Sequence, residues 1–314
     1  MASALSEFTS TPWALRPDVL VSLVQLDQLQ ALAEPFDGAP EWNARGGSSG
    51  PGRSSSSSSS SSGADGRRGG VAVLPIHGLI TQRGQRYTGT STIQFGQWLQ
   101  DAVVDTNVSQ ILIDVDSSGG GIYGVVELAD AIFQARKVKP VVAAINSQAS
   151  SAAYWLASQA SKVYITPGGE VGGIGVWNVH EDHSGALELL GVDVTLITAG
   201  KYKTEGHPYG PLSNDAKAYM QQRTADYYST FTKHVARGRG VTVDQVRGGM
   251  GQGRSLGAFW AFAEKMVDGI RTFDAVLRDM GGAVGARSVA AAGRPSSLGR
   301  VLQSKLNEST RRKS

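Results

Sequence analysis

The stretch Gln110-Ile111-Leu112-Ile113-Asp114-Val115-Asp116-Ser117-Ser118-Gly119-Gly120-Gly121 decides the fold. Its apolar first half, Gln110 to Val115, reads as a buried strand, and it runs into a serine and glycine turn. A helical pattern over Tyr123 to Arg136 follows at once. Before it stand a strand at Val71 to Ile76 and a helix at Ile93 to Val104. After it the alternation continues: strand Pro140 to Ile145, short helix Ser151 to Ser158, strand Lys162 to Ile165 and strand Ile174 to Val179. Ala186 to Leu190 is helical, Asp193 to Thr198 is a strand, and Asn214 to Ala236 is a long helix. Ala258 to Arg278 is helical with a break at Val267-Asp268-Gly269. Repeated βα units with β-branched strands predict an α/β domain with a mostly parallel sheet and flanking helices.

Four regions are expected along the 314 residues: an N-terminal helical arm over 1–45, a linker over 46–70, the main domain over 71–281 and a basic tail over 282–314. The arm carries an amphipathic stretch, Pro17 to Leu32, with Leu20, Leu23, Val24 and Leu32 at helical spacing. One helix cannot fold alone, so it has to dock on its own domain or on a neighbouring subunit. The linker is Gly, Ser and Arg with nine consecutive serines from Ser54 to Ser62, and such a segment has no apolar surface to bury. The tail thins into Ala, Ser, Gly and Arg and ends on Arg311, Arg312 and Lys313; Leu298, Val301, Leu302 and Leu306 allow one short helix within it.

Composition narrows the function classes. A net charge of +3 gives no argument for nucleic acid or a membrane surface as partner. The absence of cysteine excludes a thiol nucleophile, a disulfide framework and thiolate metal sites. Met1 to Thr11 lacks the basic stretch and apolar run of a secretory signal, and no run of about 18 apolar residues occurs, so no membrane span and a cytoplasmic location are expected.

Three features could carry chemistry. Gly119-Gly120-Gly121 at a strand end can turn N–H groups toward an anion, although a glycine run there is more often a tight turn. Ser150-Ser151-Ala152-Ala153-Tyr154-Trp155 stands between a buried strand and a helix, where the helix dipole and free amides favour an oxyanion. On the residues alone an ordinary N-cap serine is the better account of that position, with Ser150 as the cap and Ser151 just inside. Gly200-Lys201-Tyr202-Lys203-Thr204 follows a strand; a lysine there is usually a solvated residue, and it becomes a base only if burial strips its proton.

Taken in order, these features resemble the signal peptide peptidase A family of serine peptidases. Its Ser-Pro-Gly-Gly turn is matched by Ser117-Ser118-Gly119-Gly120, and its Ala-Ser-Gly-Gly-Tyr by Ser150-Ser151-Ala152-Ala153-Tyr154. Its Gly-Ser-Ile-Gly-Val segment is matched by Gly172-Gly173-Ile174-Gly175-Val176, and its Gly-x-Tyr-Lys by Gly200-Lys201-Tyr202-Lys203. The match runs from about Val71 to Met280, with a family-like Ala-x-x-x-Val-Asp-Gly-Ile at Ala263 to Ile270 near its end. Ser118 replaces the proline, and Ala152-Ala153 replace the two glycines.

The resemblance implies a ClpP/crotonase-like fold and peptide-bond hydrolysis by a Ser–Lys dyad. Ser151 is then the nucleophile and Lys203 its base, with an oxyanion hole from the backbone amides of Gly119, Gly120 and Ala152. It implies no metal or cofactor. It implies ring-like homo-oligomers in which neighbouring subunits complete the site, and a polypeptide as substrate. The opening Thr11-Pro12-Trp13-Ala14-Leu15-Arg16-Pro17, in place of a membrane anchor, resembles the phage branch that processes scaffold and capsid proteins during head maturation, in the host cytoplasm or the procapsid. Alternatives are a soluble bacterial enzyme that degrades signal peptides and a non-catalytic capsid-assembly protein on the same fold. A third is a Ser-His-Asp peptidase, in which His180 or His183 would have to serve; Thr166 stands after the strand Lys162 to Ile165 where that type carries its histidine. Self-processing at Ser288-Val289-Ala290-Ala291-Ala292-Gly293 or in the linker is a further expectation.

Overall fold

The computed structural model describes residues 69–84 and 89–281 in full, and the backbone of residues 13–15. The expected helix at Pro17 to Leu32, the serine tract and the tail with its 288–293 segment lie outside the described residues.

The strands are β1 (Trp13–Leu15), β2 (Gly70–Thr81), β3 (Thr90–Ser91), β4 (Val108–Gly121), β5 (Val141–Ser150), β6 (Lys162–Ile165), β7 (Glu170–Gly172), β8 (Ser255–Gly257) and β9 (Gly269–Ile270). The helices are α1 (Thr92–Val104), α2 (Val125–Ala135), α3 (Ala152–Ala157), α4 (Ser184–Leu189), α5 (Asn214–Arg239), α6 (Val243–Gly248), α7 (Ala258–Ala263) and α8 (Phe273–Asp279). The sheet order is β3-β2-β4-β5-β6-β9, parallel throughout; β7 pairs parallel with β5, while β1 on β4 and β8 on β7 are antiparallel. This is the mostly parallel sheet with flanking helices that the βα alternation predicts.

Both faces of the sheet are covered, which is why its central strands read as continuous apolar runs. Ile111, Ile113 and Val115 of β4 join one core with Phe95 and Leu99 of α1, Leu128 and Ile132 of α2, α3, and Phe231 and Val235 of α5. Leu112, one residue out of phase, faces a second core with Val73, Val142, Ala144 and the α8 residues Val276 and Leu277.

Several boundaries differ from the sequence reading. β2 begins at Gly70, inside the expected linker, where Gly70 pairs with Val108. β4 does not end at Val115 but carries its pairing through the glycines, with Leu79 opposite Gly119 and Ile80 opposite Gly120. Gly119 has φ +107, and a Cβ on Gly120 would lie 1.9 Å from the Ile80 carbonyl oxygen, so the glycines are there for close strand approach. The expected strand at Ile174 to Val179 is absent apart from an isolated bridge at Trp177; the strand at that point is β7, and β8 takes its free edge. The break at Val267–Gly269 is β9, which extends the sheet beside β6.

The largest departure is at Asp193 to Thr198, which has no strand partner. A strand needs a neighbouring backbone to satisfy its N–H and C=O groups, and this segment pairs with none of the strands of the described sheet. The preceding α4 has no buried residue, and Leu189 and Ile197 are 90% and 96% exposed.

Candidate active site

β4 and β5 run side by side up to the pair Ser117 and Ala149, and then they part. β5 ends at Ser150, the chain turns sharply at Ser151, and α3 begins at Ala152. Ser151 carries φ 56 and ψ −121, a conformation that costs a non-glycine residue about 1–3 kcal/mol. A serine on a strained strand-to-helix turn is the arrangement that lifts a nucleophile out of the backbone.

The surroundings hold that turn in place. The Ser151 amide donates to the Gly172 carbonyl at 2.7 Å, and a Cβ on Gly173 would stand 3.0 Å from the Ser151 nitrogen. Ser150 Oγ and Ser255 Oγ lie 3.1 Å apart, joining β5 to β8. Behind the turn α3 is fully buried. The Tyr154 hydroxyl donates to the Met266 carbonyl at 2.9 Å, and burial raises its pKa well above the usual phenol range. The Trp155 indole stacks on Phe231 at 4.4 Å and donates its N–H to His234 Nδ1 at 3.0 Å. Gly238 lets α5 approach α3, since a Cβ there would lie 2.1 Å from the Ser158 carbonyl oxygen.

Ser151 is not the ordinary helix cap that its position allows. In α1, α5, α6 and α8 the N-cap hydroxyls of Ser91, Ser213, Thr242 and Thr272 each accept a backbone N–H. Ser151 stands at the N-cap of α3 without such a bond, and Ser150 belongs to β5. The hydroxyl is thus left for other work, in a residue only 3% exposed.

Ala152 opens α3, where a first-turn amide has no acceptor within the helix. Gly119 and Gly120 lie on the stretch of β4 that continues past the pair Ser117 and Ala149. The Gly119 amide is already used: it donates to Ser117 Oγ at 3.1 Å, and that hydroxyl donates to the Gly78 carbonyl.

Lys203 is not brought to Ser151. It sits exposed in the turn after Gly200, its amide donating to the Gly200 carbonyl at 3.2 Å, and no hydrogen bond joins it to Ser151. Lys201 is exposed beside it, over the Tyr202 ring at 4.6 Å. A cleft of about 820 Å³ between this loop and α5 is lined by Tyr202, Glu205, Asp215, Tyr219 and Arg223.

All five histidines are engaged elsewhere. His77 meets Asp114 at 3.2 Å, His180 faces the Gly210 carbonyl at 3.3 Å and His183 pairs with Glu181 at 3.2 Å. His207 Nδ1 accepts the Tyr209 amide, and His234 holds Trp155. The His77 pKa is raised by its hydrogen bond to Asp114, and that of His234 is lowered by burial and by Arg237. Among the described residues no group of three or more His, Asp or Glu could hold a metal ion, and no helix is long and apolar enough to cross a membrane. Of the fixing partners of the serine turn, Gly172 stood in a matched motif without a role, and Met266 and His234 are the residues that sequence reasoning missed; only the tertiary fold brings them there.

Residues 134–287 match the model of peptidase family S49. The chain is similar to the head-tail preconnector protein GP5 of Enterobacteria phage P21, 38% identical over 183 residues that make up 57% of this chain and 36% of that protein. It is similar to the capsid assembly protease C of Escherichia phage lambda, 37% identical over 181 residues, 56% of this chain and 41% of that one. The chain thus spans about two fifths of the length of these relatives. Among solved structures, a mutant of the 1510-N membrane-bound stomatin-specific protease with a substrate peptide is 18% identical, covers 67% of this chain and 79% of its own, and superimposes with a TM-score of 0.45.

Proposed function

We propose that this chain, which carries a peptidase family S49 domain, is a serine endopeptidase with Ser151 as nucleophile and Lys203 as base. The observation that carries the reading is the Ser151 turn: a positive-φ serine between a buried strand and a buried helix, its hydroxyl released from capping.

In this reading neutral Lys203 accepts the Ser151 proton as Oγ bonds to the carbonyl carbon of a peptide. With the Gly119 amide held by Ser117, the amides of Gly120 and Ala152 are the donors we assign to the tetrahedral oxyanion. Collapse breaks the C–N bond, and the leaving amine takes the proton from the Lys203 ammonium. Water, giving its proton to Lys203, then attacks the acyl ester, and as the ester C–O bond breaks Ser151 Oγ takes that proton back from the Lys203 ammonium.

The site is completed between copies of the chain. A lysine base needs burial to lose its proton, and the single chain leaves Lys203 exposed and apart from Ser151. The segment before it supports assembly: Val192, Val194 and Leu196 alternate in strand fashion and are exposed, next to the fully open Leu189 and Ile197. An apolar, unpaired strand-like segment is a surface built for another copy. The similarity to phage capsid assembly protease C supports scaffold or capsid polypeptides as substrates, cut during head maturation in the host cytoplasm or the procapsid.

The test is casein or peptide hydrolysis by wild type, Ser151→Ala and Lys203→Ala at matched oligomer size. Both variants should be inert while still assembled. An active Lys203→Ala enzyme would remove the dyad, and an inert but assembled wild type would favour a non-catalytic assembly role.

A further inference from the structure

β1 occupies a particular place. β4 has two edges, and along Gly119 and Gly120 one of them is taken by β2, through Leu79 and Ile80. The other edge belongs to β5 only as far as the pair Ser117 and Ala149. Beyond it β5 departs through Ser150 and Ser151 into α3, which leaves the β4 edge beside the Ser151 turn open. β1 fills that gap, antiparallel, with Trp13 opposite Gly121, Ala14 opposite Gly120 and Leu15 opposite Gly119. Its direction carries the chain from Gly121 toward Gly119, that is, toward the serine.

An extended polypeptide recognised by backbone pairing must use an unpaired strand edge. The stretch of β4 next to Ser151 is such an edge, and the chain's own N-terminal segment lies on it. We propose that the segment containing Trp13–Leu15 is a built-in competitor for the polypeptide-binding edge beside Ser151, so that a substrate has to displace it. The inhibitory role rests on the peptidase reading above; the docking of the strand does not. Three residues of pairing make a short contact, and short isolated strand pairs are marginal in water. Its strength comes from the tether, which holds the segment at a high effective concentration near the edge. Glycines at 119 and 120 suit a site that trades one strand for another, because recognition there is by backbone alone.

The test uses the full chain carrying Ala14→Pro together with Leu15→Pro. N–H groups alternate sides along a strand, so one of two adjacent prolines falls on the side toward β4 and removes a ladder bond. Hydrogen exchange over Ser118–Gly121 should speed up in the variant, with Tm and oligomer size unchanged. If the docked form holds about nine tenths of the molecules, kcat/KM on an unstructured peptide should rise roughly tenfold. A synthetic peptide of residues 11–17 should then inhibit the variant more strongly than wild type. Unchanged exchange over Ser118–Gly121 would overturn the docked strand, whatever the activity. Faster exchange with unchanged kcat/KM would overturn its inhibitory role. If wild type and variant are both inert, the peptidase reading and the inhibitory role fall together, while faster exchange in the variant still establishes the docked strand.

Discussion

The Ser151 amide donates to the Gly172 carbonyl at 2.7 Å, and this bond ties the strained serine to the end of β7. Gly172 itself has φ +141, and a Cβ there would lie 2.3 Å from the Arg254 carbonyl oxygen in β8's approach. The serine turn is therefore fixed by a strand that tolerates no side chain at its last position.

Gly172→Ala should displace β7 from β8 and release the Ser151 turn. Combined backbone strain and lost pairing predict a destabilisation of about 2–4 kcal/mol. Peptidase activity should fall more than stability explains, because the nucleophile loses its geometry. Thermal unfolding read beside kcat on the folded fraction separates the two effects.

Mixing two dead variants tests the shared site. Ser151→Ala and Lys203→Ala, unfolded and refolded together, should regain activity that neither shows alone, since some interfaces then join an intact Ser151 to an intact Lys203. No recovery from mixed oligomers of native size would place both groups of the dyad within one chain.

His234 makes stability fall on the acid side. Burial and Arg237 lower its pKa in the folded protein, so the unfolded chain binds the proton first. Its stabilising contribution is full above the ordinary value of about 6.5 and is lost as pH falls from there through the folded-state value. Protonation also removes the Nδ1 acceptor of the Trp155 N–H. Wild type should lose Tm between pH 7 and pH 5 more steeply than His234→Asn, which keeps an acceptor but does not titrate. Parallel Tm profiles for the two would contradict this. His77 acts in the opposite sense, since its raised pKa gives stability that is present below about 6.5 and lost at higher pH; it is common to both proteins and cancels in the comparison.

Asp268 joins β9 to the rest of the sheet. Burial would raise its pKa, but the Arg239 hydrogen bond and the Val163 amide outweigh that and hold it below the usual carboxylate range. Its Oδ2 accepts from Arg239 at 2.9 Å and from the Val163 amide at 2.8 Å, and Arg239 is only 6% exposed. Asp268→Ala leaves both donors without their partner, one of them a nearly buried charge, and should cost about 3–5 kcal/mol. Denaturant unfolding measures it, and a loss under about 1 kcal/mol would mean that water replaces the carboxylate.

Much of the fold was legible in the residues. The apolar runs at Val71 to Ile76, Gln110 to Val115, Pro140 to Ile145 and Lys162 to Ile165 all became strands of the parallel sheet, because burial on both faces leaves a local apolar signature. Asp193 to Thr198 has the same local signature and is not a strand, because pairing depends on whether another backbone is available. The extent of β4 through its glycines was equally hidden: a glycine run looks the same whether it turns or pairs closely.

For the site, sequence by itself determined the residue types and their order, from Gly119 and Gly120 through Ser151 and Ala152 to Lys203. Tertiary structure decided which of them meet. It strained the Ser151 turn ahead of α3, bound the Gly119 amide to Ser117, gave every histidine another partner, and left Lys203 exposed on its loop. Local patterns encode burial and turn preference over a few residues, whereas hydrogen-bond partners and strand edges come from segments scores of residues apart, and those are fixed only when the chain packs.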